Sequence, residues 1–213
     1  MKKEGKLDII SPFGPAIAST NIPKTLIDKI NNFIDEVIKD KNKSKKFDWG
    51  KYLAGQVTQE IKLPKEIIDG ELLNFLSEST KAFVESLTDK KVTKFKLISC
   101  WVVRQFQNEY NPTHWHGGHI SGAGFLKVPT NMGKHSQKGK ELAYRGGNLQ
   151  LIHGSRMFLC HSTLDLVPSV GDFYFFPNYL MHTVFPFKDT NEERRSISFN
   201  AVIDDEIYNV YGR

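Results

Sequence analysis

Cysteine and arginine are both scarce in this sequence. It has two cysteines in 213 residues, and six arginines against 23 lysines. Two cysteines exclude a multi-disulfide framework. Cys100 and Cys160 sit in apolar runs and are expected as buried free thiols of a reducing compartment; a single disulfide between them is the alternative. No apolar run approaches the roughly 18 residues of a membrane-spanning helix, so no membrane partner is expected. Met1–Lys6 is polar and no apolar stretch follows it, which argues against a secretory signal and for the cytoplasm.

The shortage of arginine bears on nucleic acid. The formal net charge is +5 and the isoelectric point about 9.0, values compatible with a nucleic-acid partner. The excess is local, however. Residues 1–51 hold eleven lysines against seven acids, and the rest of the chain is nearly balanced. The run Lys39–Lys46 reads as a solvated loop. Arginine forks, the better readers of bases and phosphates, are few. No nucleic-acid partner is expected.

What the chain does have is a globular composition, 39% hydrophobic and 12% aromatic, too apolar for a disordered segment. The length suits a single domain, 1–213. A short strand is expected over Leu7–Ser11, broken by Pro12. Leu26, Ile30, Phe33 and Val37 recur at helical spacing behind Pro23, which predicts a helix over 23–38. Leu72, Leu76, Phe83 and Leu87 predict a second over 71–87. From residue 92 the pattern changes to period two and short apolar runs. Strands are expected near 92–107, 113–116, 119–128, 148–153, 156–160, 171–176, 182–186 and 195–203. Helices followed by many strands give an α+β chain, mainly β. The natural closed form is a jelly-roll barrel, a double-stranded β-helix, with the N-terminal helices packed outside. Residues 1–91 are then a helical support region, 92–203 the core and 204–213 a C-terminal tail.

Three segments carry chemistry. In Asn111-Pro112-Thr113-His114-Trp115-His116-Gly117-Gly118-His119, side chains alternate along an extended strand, so His114 and His116 share a face. Two imidazoles so placed can chelate one metal ion, and the same pattern also fits a polar strand edge. His119 has the opposite parity and lies past the glycines, which suits a surface histidine. In Gly171–His182 an apolar strand ends at Pro177 and a short loop leads to His182. Its neighbours are apolar, so it needs a partner, a metal or a backbone carbonyl. In Arg194-Arg195-Ser196-Ile197-Ser198-Phe199-Asn200, one strand face reads Arg, Ser, Ser, Asn and the other Arg, Ile, Phe. The polar face suits a carboxylate cradle or a solvated stripe.

Taken together, these motifs resemble the non-haem Fe(II)/2-oxoglutarate-dependent oxygenase superfamily. More narrowly, they resemble an oxygenase subfamily common in marine phages and bacteria. Its Asn-Pro-x-His-x-His-x-Gly-x-x-Ser motif matches 111–121, its Phe-Pro-x-x-x-x-His motif 176–182, and its Arg-x-Ser-x-Ser-Phe-Asn motif 194–200. The resemblance implies Fe(II) as cofactor and 2-oxoglutarate as cosubstrate. It implies a dioxygenase that hydroxylates a C–H bond of a peptide or small molecule, consuming O2 and releasing succinate and CO2. Peptidyl proline is the substrate suggested by family analogy. If the gene is phage-borne, the cytoplasm is the host's.

Carried over by position, His114 and His182 take the two histidine places of the iron triad, and Arg194, with Ser196 beside it, takes the place that binds the distal carboxylate of 2-oxoglutarate. Arg195 falls on the apolar face. Trp115 is assigned to the substrate mouth. The departure is at the third ligand, where the superfamily has Asp or Glu and this chain has His116. In another register His116 is the first ligand and Gly118 fills the carboxylate place, as in halogenating relatives; that register strands His114. A cupin-like metal enzyme would share the histidines but leave Arg194 without a role. A non-catalytic jelly-roll module of a phage particle would leave all four residues structural.

Overall fold

The computed structural model describes residues 7–10 and 14–209. The readings made on Met1–Lys6, on the break at Pro12 and on 210–213 of the tail lie outside the described residues. The elements begin with strands β1 (Asp8–Ile10) and β2 (Ile17–Asn21), then helices α1 (Lys24–Lys39) and α2 (Lys41–Phe47). Strand β3 (Gln59–Lys62) leads to helices α3 (Lys65–Ile68) and α4 (Glu71–Thr88). Then come β4 (Phe95–Gln105), β5 (Asn111–His114), β6 (Ile120–Lys127) and β7 (Leu149–Ile152). Last are β8 (Thr163–Leu166), β9 (Asp172–Pro177), β10 (Met181–Val184), β11 (Arg194–Ile203) and the short helix α5 (Asp205–Tyr208).

The strands form two antiparallel sheets. One has seven strands in the order β1-β2-β9-β6-β11-β4-β3, the other four in the order β5-β10-β7-β8. Period two divides the large sheet into two faces. Phe173, Phe175, Ile197 and Phe199 form one cluster with Leu26, Ile30 and Ile34 of α1 and Leu72, Leu76 and Phe83 of α4. Phe125, Tyr174 and Phe176 form a second cluster with Leu149, Leu151 and Leu166 of the small sheet. Residues of the two long helices thus share a cluster with one face of the large sheet, and residues of the small sheet share one with the other. Gly122 and Gly124 on β6 make room for this arrangement. A β-carbon at either would collide with the rings of Phe173 or Phe199.

Both long helices lie where the spacing predicts them, although Leu87 is exposed rather than on the covered side. Three expectations are corrected. The lysine-rich segment is not a loop but helix α2. Asp40 caps it by accepting from the backbone N–H groups of Asn42 and Lys43, at 2.8 and 3.2 Å, and Phe47 at its end packs edge-on against Phe33. The apolar run 156–160 is not a strand but the tip of the β7–β8 hairpin. Met157 and Cys160 bridge there, Leu159 has φ 61°, and Phe158 and Leu159 stand in solvent. Cys160 is consequently exposed, while Cys100 is buried under the helices as expected, and both are free thiols. Strands β2 and β3 were not expected at all. Among the described residues, no helix is long and apolar enough to cross a membrane.

Candidate metal centre

Strand β5 lies beside β10 with His114 directly opposite His182. Immediately past His116 the chain bends at Gly117-Gly118. Gly118 has φ +93°, and a β-carbon there would lie 2.8 Å from the Ala201 carbonyl oxygen. His116 lies just past the end of β5, and its N–H donates to the Asn178 carbonyl at 3.0 Å, which ties it to the β9–β10 loop. One ring nitrogen from each of His114, His116 and His182 lies within 4.8 Å of the other two. His119, by contrast, is pinned elsewhere: it stacks on Tyr208 at 3.9 Å and its Nδ1 accepts from the Ile203 N–H. The structure thus gathers the three histidines and leaves the fourth at the C-terminal helix.

Hydrogen bonds select the tautomers. His114 Nδ1 donates to the Pro112 carbonyl at 2.7 Å, and His182 Nδ1 to the Leu180 carbonyl at 2.8 Å. Each bond leaves the Nε2 lone pair free to ligate, the arrangement metal-binding histidines use. The Nε2 atoms of His116 and His182 are 3.0 Å apart. Two nitrogens held about 2.1 Å from one ion, at right angles to each other, are also separated by about 3.0 Å. Burial and the neighbouring His182 and His114 depress the pKa of His116 to about 3, and burial depresses that of His182 to about 4. His114 is shifted in the same direction by burial. At neutral pH the cluster is three uncharged imidazoles, the protonation state that binds metal. The donor set fits a divalent first-row ion.

The same cavity continues to β11. Its walls include Val103, Phe125, Leu149 and Phe176 as well as the histidines, and its floor carries Arg194, Ser196 and Ser198. Arg194 is fully buried. Its Nε donates to the Gly147 carbonyl at 3.1 Å, and its Nη1 to Gln105 Oε1 at 3.1 Å and Ser196 Oγ at 3.4 Å. Among the described residues no carboxylate is within ion-pair distance of it, and burial lowers its pKa to about 10. Arg195 points to the helix side and is paired with Glu193 and Asp35. Trp115 is exposed beside the histidines, and Trp101 is buried with its ring 5.6 Å from that of His116.

Gln105 escaped the sequence reading. The only local signal is a polar residue at the end of the strand, with the parity of Trp101 and Val103, and its contact with Arg194 depends on strand register. A larger surface groove of about 600 Å³ runs past Phe47, Pro64, Ile68 and Leu97, but it holds no cluster of ligating side chains.

Residues 99–200 match the family described as "Putative 2OG-Fe(II) oxygenase". No curated protein sequence matches the chain significantly. Among solved structures, the viral collagen prolyl hydroxylase of Paramecium Bursaria Chlorella virus-1, in its 2OG complex, superposes with a TM-score of 0.53 at 17% identity, covering 92% of this chain and 96% of that one. A Pseudomonas putida prolyl-4-hydroxylase gives 0.52 at 12% identity, covering 86% and 91%. The 2OG-type epimerase SnoN of nogalamycin biosynthesis gives 0.54 at 14% identity, covering 87% and 76%. At these identities the structural likeness establishes a shared fold.

Proposed function

We propose a role for each of these residues from one premise: this chain belongs to the superfamily of 2OG-Fe(II) oxygenases, enzymes that use Fe(II) and 2-oxoglutarate. His114, His116 and His182 hold the iron through their Nε2 atoms. Arg194, with Ser196 beside it, grips the distal carboxylate of 2-oxoglutarate. The strands of 92–203 form a double-stranded β-helix, β1–β3 of residues 1–91 extend its larger sheet at both edges, and the helices of 1–91 support it from outside.

A single observation carries this reading. A fully buried guanidinium, without a carboxylate partner among the described residues, faces the cavity that holds the three histidines. An unpaired buried charge is costly, and a fold retains one where a ligand supplies the missing charge. A cupin-like enzyme or a non-catalytic jelly roll gives that charge no task.

Bound Fe(II) and 2-oxoglutarate supply the oxidising chemistry, in which O2 oxidises a C–H bond while 2-oxoglutarate is decarboxylated to succinate and CO2. The protein's own residues orient and exclude. The Pro112 and Leu180 carbonyls fix two imidazoles in the ligating tautomer. Phe125, Phe176, Leu149 and Val103 keep water from the cavity. Trp115, exposed beside the histidines, lines the mouth through which the substrate enters. Prolyl hydroxylases among the structural neighbours favour a peptidyl-proline substrate.

The test is succinate formation from 2-oxoglutarate with Fe(II) and O2, with and without proline-rich peptides. The reading expects slow succinate release that His182→Ala abolishes, and acceleration by a peptide with one oxygen atom added. No succinate from iron-loaded protein under any of these conditions would overturn it.

A further inference from the structure

Strand β11 places two buried arginines side by side with opposite electrostatics. Arg195 has its charge compensated: Glu193 receives its Nε and Nη2 at 3.0 and 2.9 Å, and Asp35 its Nη2 at 2.8 Å. Arg194 has only neutral acceptors. Chief among the side chains is Gln105, fully buried and paired directly with Arg194 in the β4–β11 register. Its amide is used at both ends. Nε2 donates to the Glu109 carbonyl at 2.6 Å and the Phe185 carbonyl at 3.4 Å, which turns Oε1 towards the Arg194 guanidinium. The flipped amide would set its NH2 against a cation and its oxygen against two carbonyls, so the network admits one orientation.

We propose that Gln105 is a positioning residue for 2-oxoglutarate. It holds Arg194 in place without neutralising it, which reserves the full charge for the distal carboxylate. This rests on the reading of Arg194 given above. A glutamate in the same place would supply the counter-charge from within the protein and compete with the ligand. An apolar residue would leave the guanidinium short of an acceptor and free to turn. The neutral amide avoids both.

The experiment is calorimetric titration of 2-oxoglutarate into Fe(II)-loaded protein under anaerobic conditions, for wild type, Gln105→Glu, Gln105→Met and Arg194→Met. The control ligand is 2-oxopentanoate, which ends in a methyl group where 2-oxoglutarate has its distal carboxylate. Gln105→Glu is expected to weaken 2-oxoglutarate binding at least about tenfold and Gln105→Met about fivefold. Neither should change 2-oxopentanoate binding.

Unchanged 2-oxoglutarate affinity in the folded Gln105 variants, while Arg194→Met loses it, would overturn the role of Gln105 alone. Equal losses for both ligands would also overturn it, since they mark a merely structural residue. If Arg194→Met binds 2-oxoglutarate as wild type does, the reading of Arg194 fails and this inference falls with it. Should Gln105→Glu not fold, Gln105→Met decides the question by the same criteria.

Discussion

Replacing Arg194 and Arg195 one at a time by methionine should separate ligand binding from stability. Among the described residues Arg194 has no carboxylate partner, and the Phe125 ring lies 5.0 Å from its guanidinium carbon. Its pKa, lowered from 12.5 to about 10 by burial, corresponds to roughly 3 kcal/mol spent on keeping the charge desolvated. Methionine relieves that cost but strands the Gly147 carbonyl and Gln105 Oε1, each worth about 1–3 kcal/mol when left unsatisfied. The two effects nearly cancel, so Arg194→Met should unfold in urea within about 2 kcal/mol of wild type. Its 2-oxoglutarate affinity should fall by about 2–5 kcal/mol, on the order of thirtyfold to several thousandfold.

Arg195 behaves in the opposite way. It ties Asn31 and Asp35 of α1 to Glu193, and Glu193 also receives Arg104 at 2.8 Å. Removing it breaks a buried pair and leaves Glu193 with one partner, a loss of about 3–5 kcal/mol. The protein that remains folded should bind 2-oxoglutarate normally. The assay is urea denaturation of metal-free protein alongside calorimetry of the ligand. If Arg195→Met loses 2-oxoglutarate affinity while Arg194→Met keeps it, the face assignment of β11 is wrong and Ser196 and Ser198 lose their place in the cavity argument.

Other outcomes follow from the same structure. His182→Ala should abolish tight Fe(II) binding, measured anaerobically by equilibrium dialysis, while far-ultraviolet circular dichroism stays that of wild type; retained stoichiometric iron would refute the three-histidine site. Burial and the nearby Asp48 raise the carboxyl pKa of Glu60 from 4.5 to about 7, and its Oε2 has no hydrogen-bond partner. Between these values the folded protein holds a proton that the unfolded chain has released, so stability should fall as pH rises from 4.5 to 7, by up to about 3 kcal/mol from this group. Glu60→Gln should remove that component of the urea-midpoint profile, and an unchanged profile would contradict it. Gly124→Ala should cost about 1–3 kcal/mol or more, because its methyl group meets the Phe173 ring; a neutral result by thermal melting would show that the aromatic layer yields.

The parts legible in the sequence are those set by short-range periodicity. Helices α1 and α4 follow from one buried stripe each, and the split of β11 into a polar and an apolar face follows from its period of two. His114 and His116 could be paired by parity, although β5 ends at His114 and His116 is held beyond it by its bond to the Asn178 carbonyl. Other features depend on what is distant in sequence. Strands β2 and β3 are four or five residues long and are defined by partners far along the chain. The segment 156–160 has the composition of a strand but no neighbour to cover it, so it closes a hairpin in solvent. Helix α2 is specified by one cap and one aromatic contact inside a lysine run. The hold of Gln105 on Arg194 joins residues 89 apart and exists only in the β4–β11 register.

The proposed site joins three histidines and Arg194 around Fe(II) and 2-oxoglutarate. Its most direct test is an anaerobic titration of the metal-free protein with Fe(II) and then 2-oxoglutarate, followed by visible absorption. A weak charge-transfer band is expected that saturates at one equivalent of each, is absent in His182→Ala, and needs a much higher 2-oxoglutarate concentration in Arg194→Met. Wild-type protein that develops no band, or a band in wild type that both variants reproduce unchanged, would contradict it.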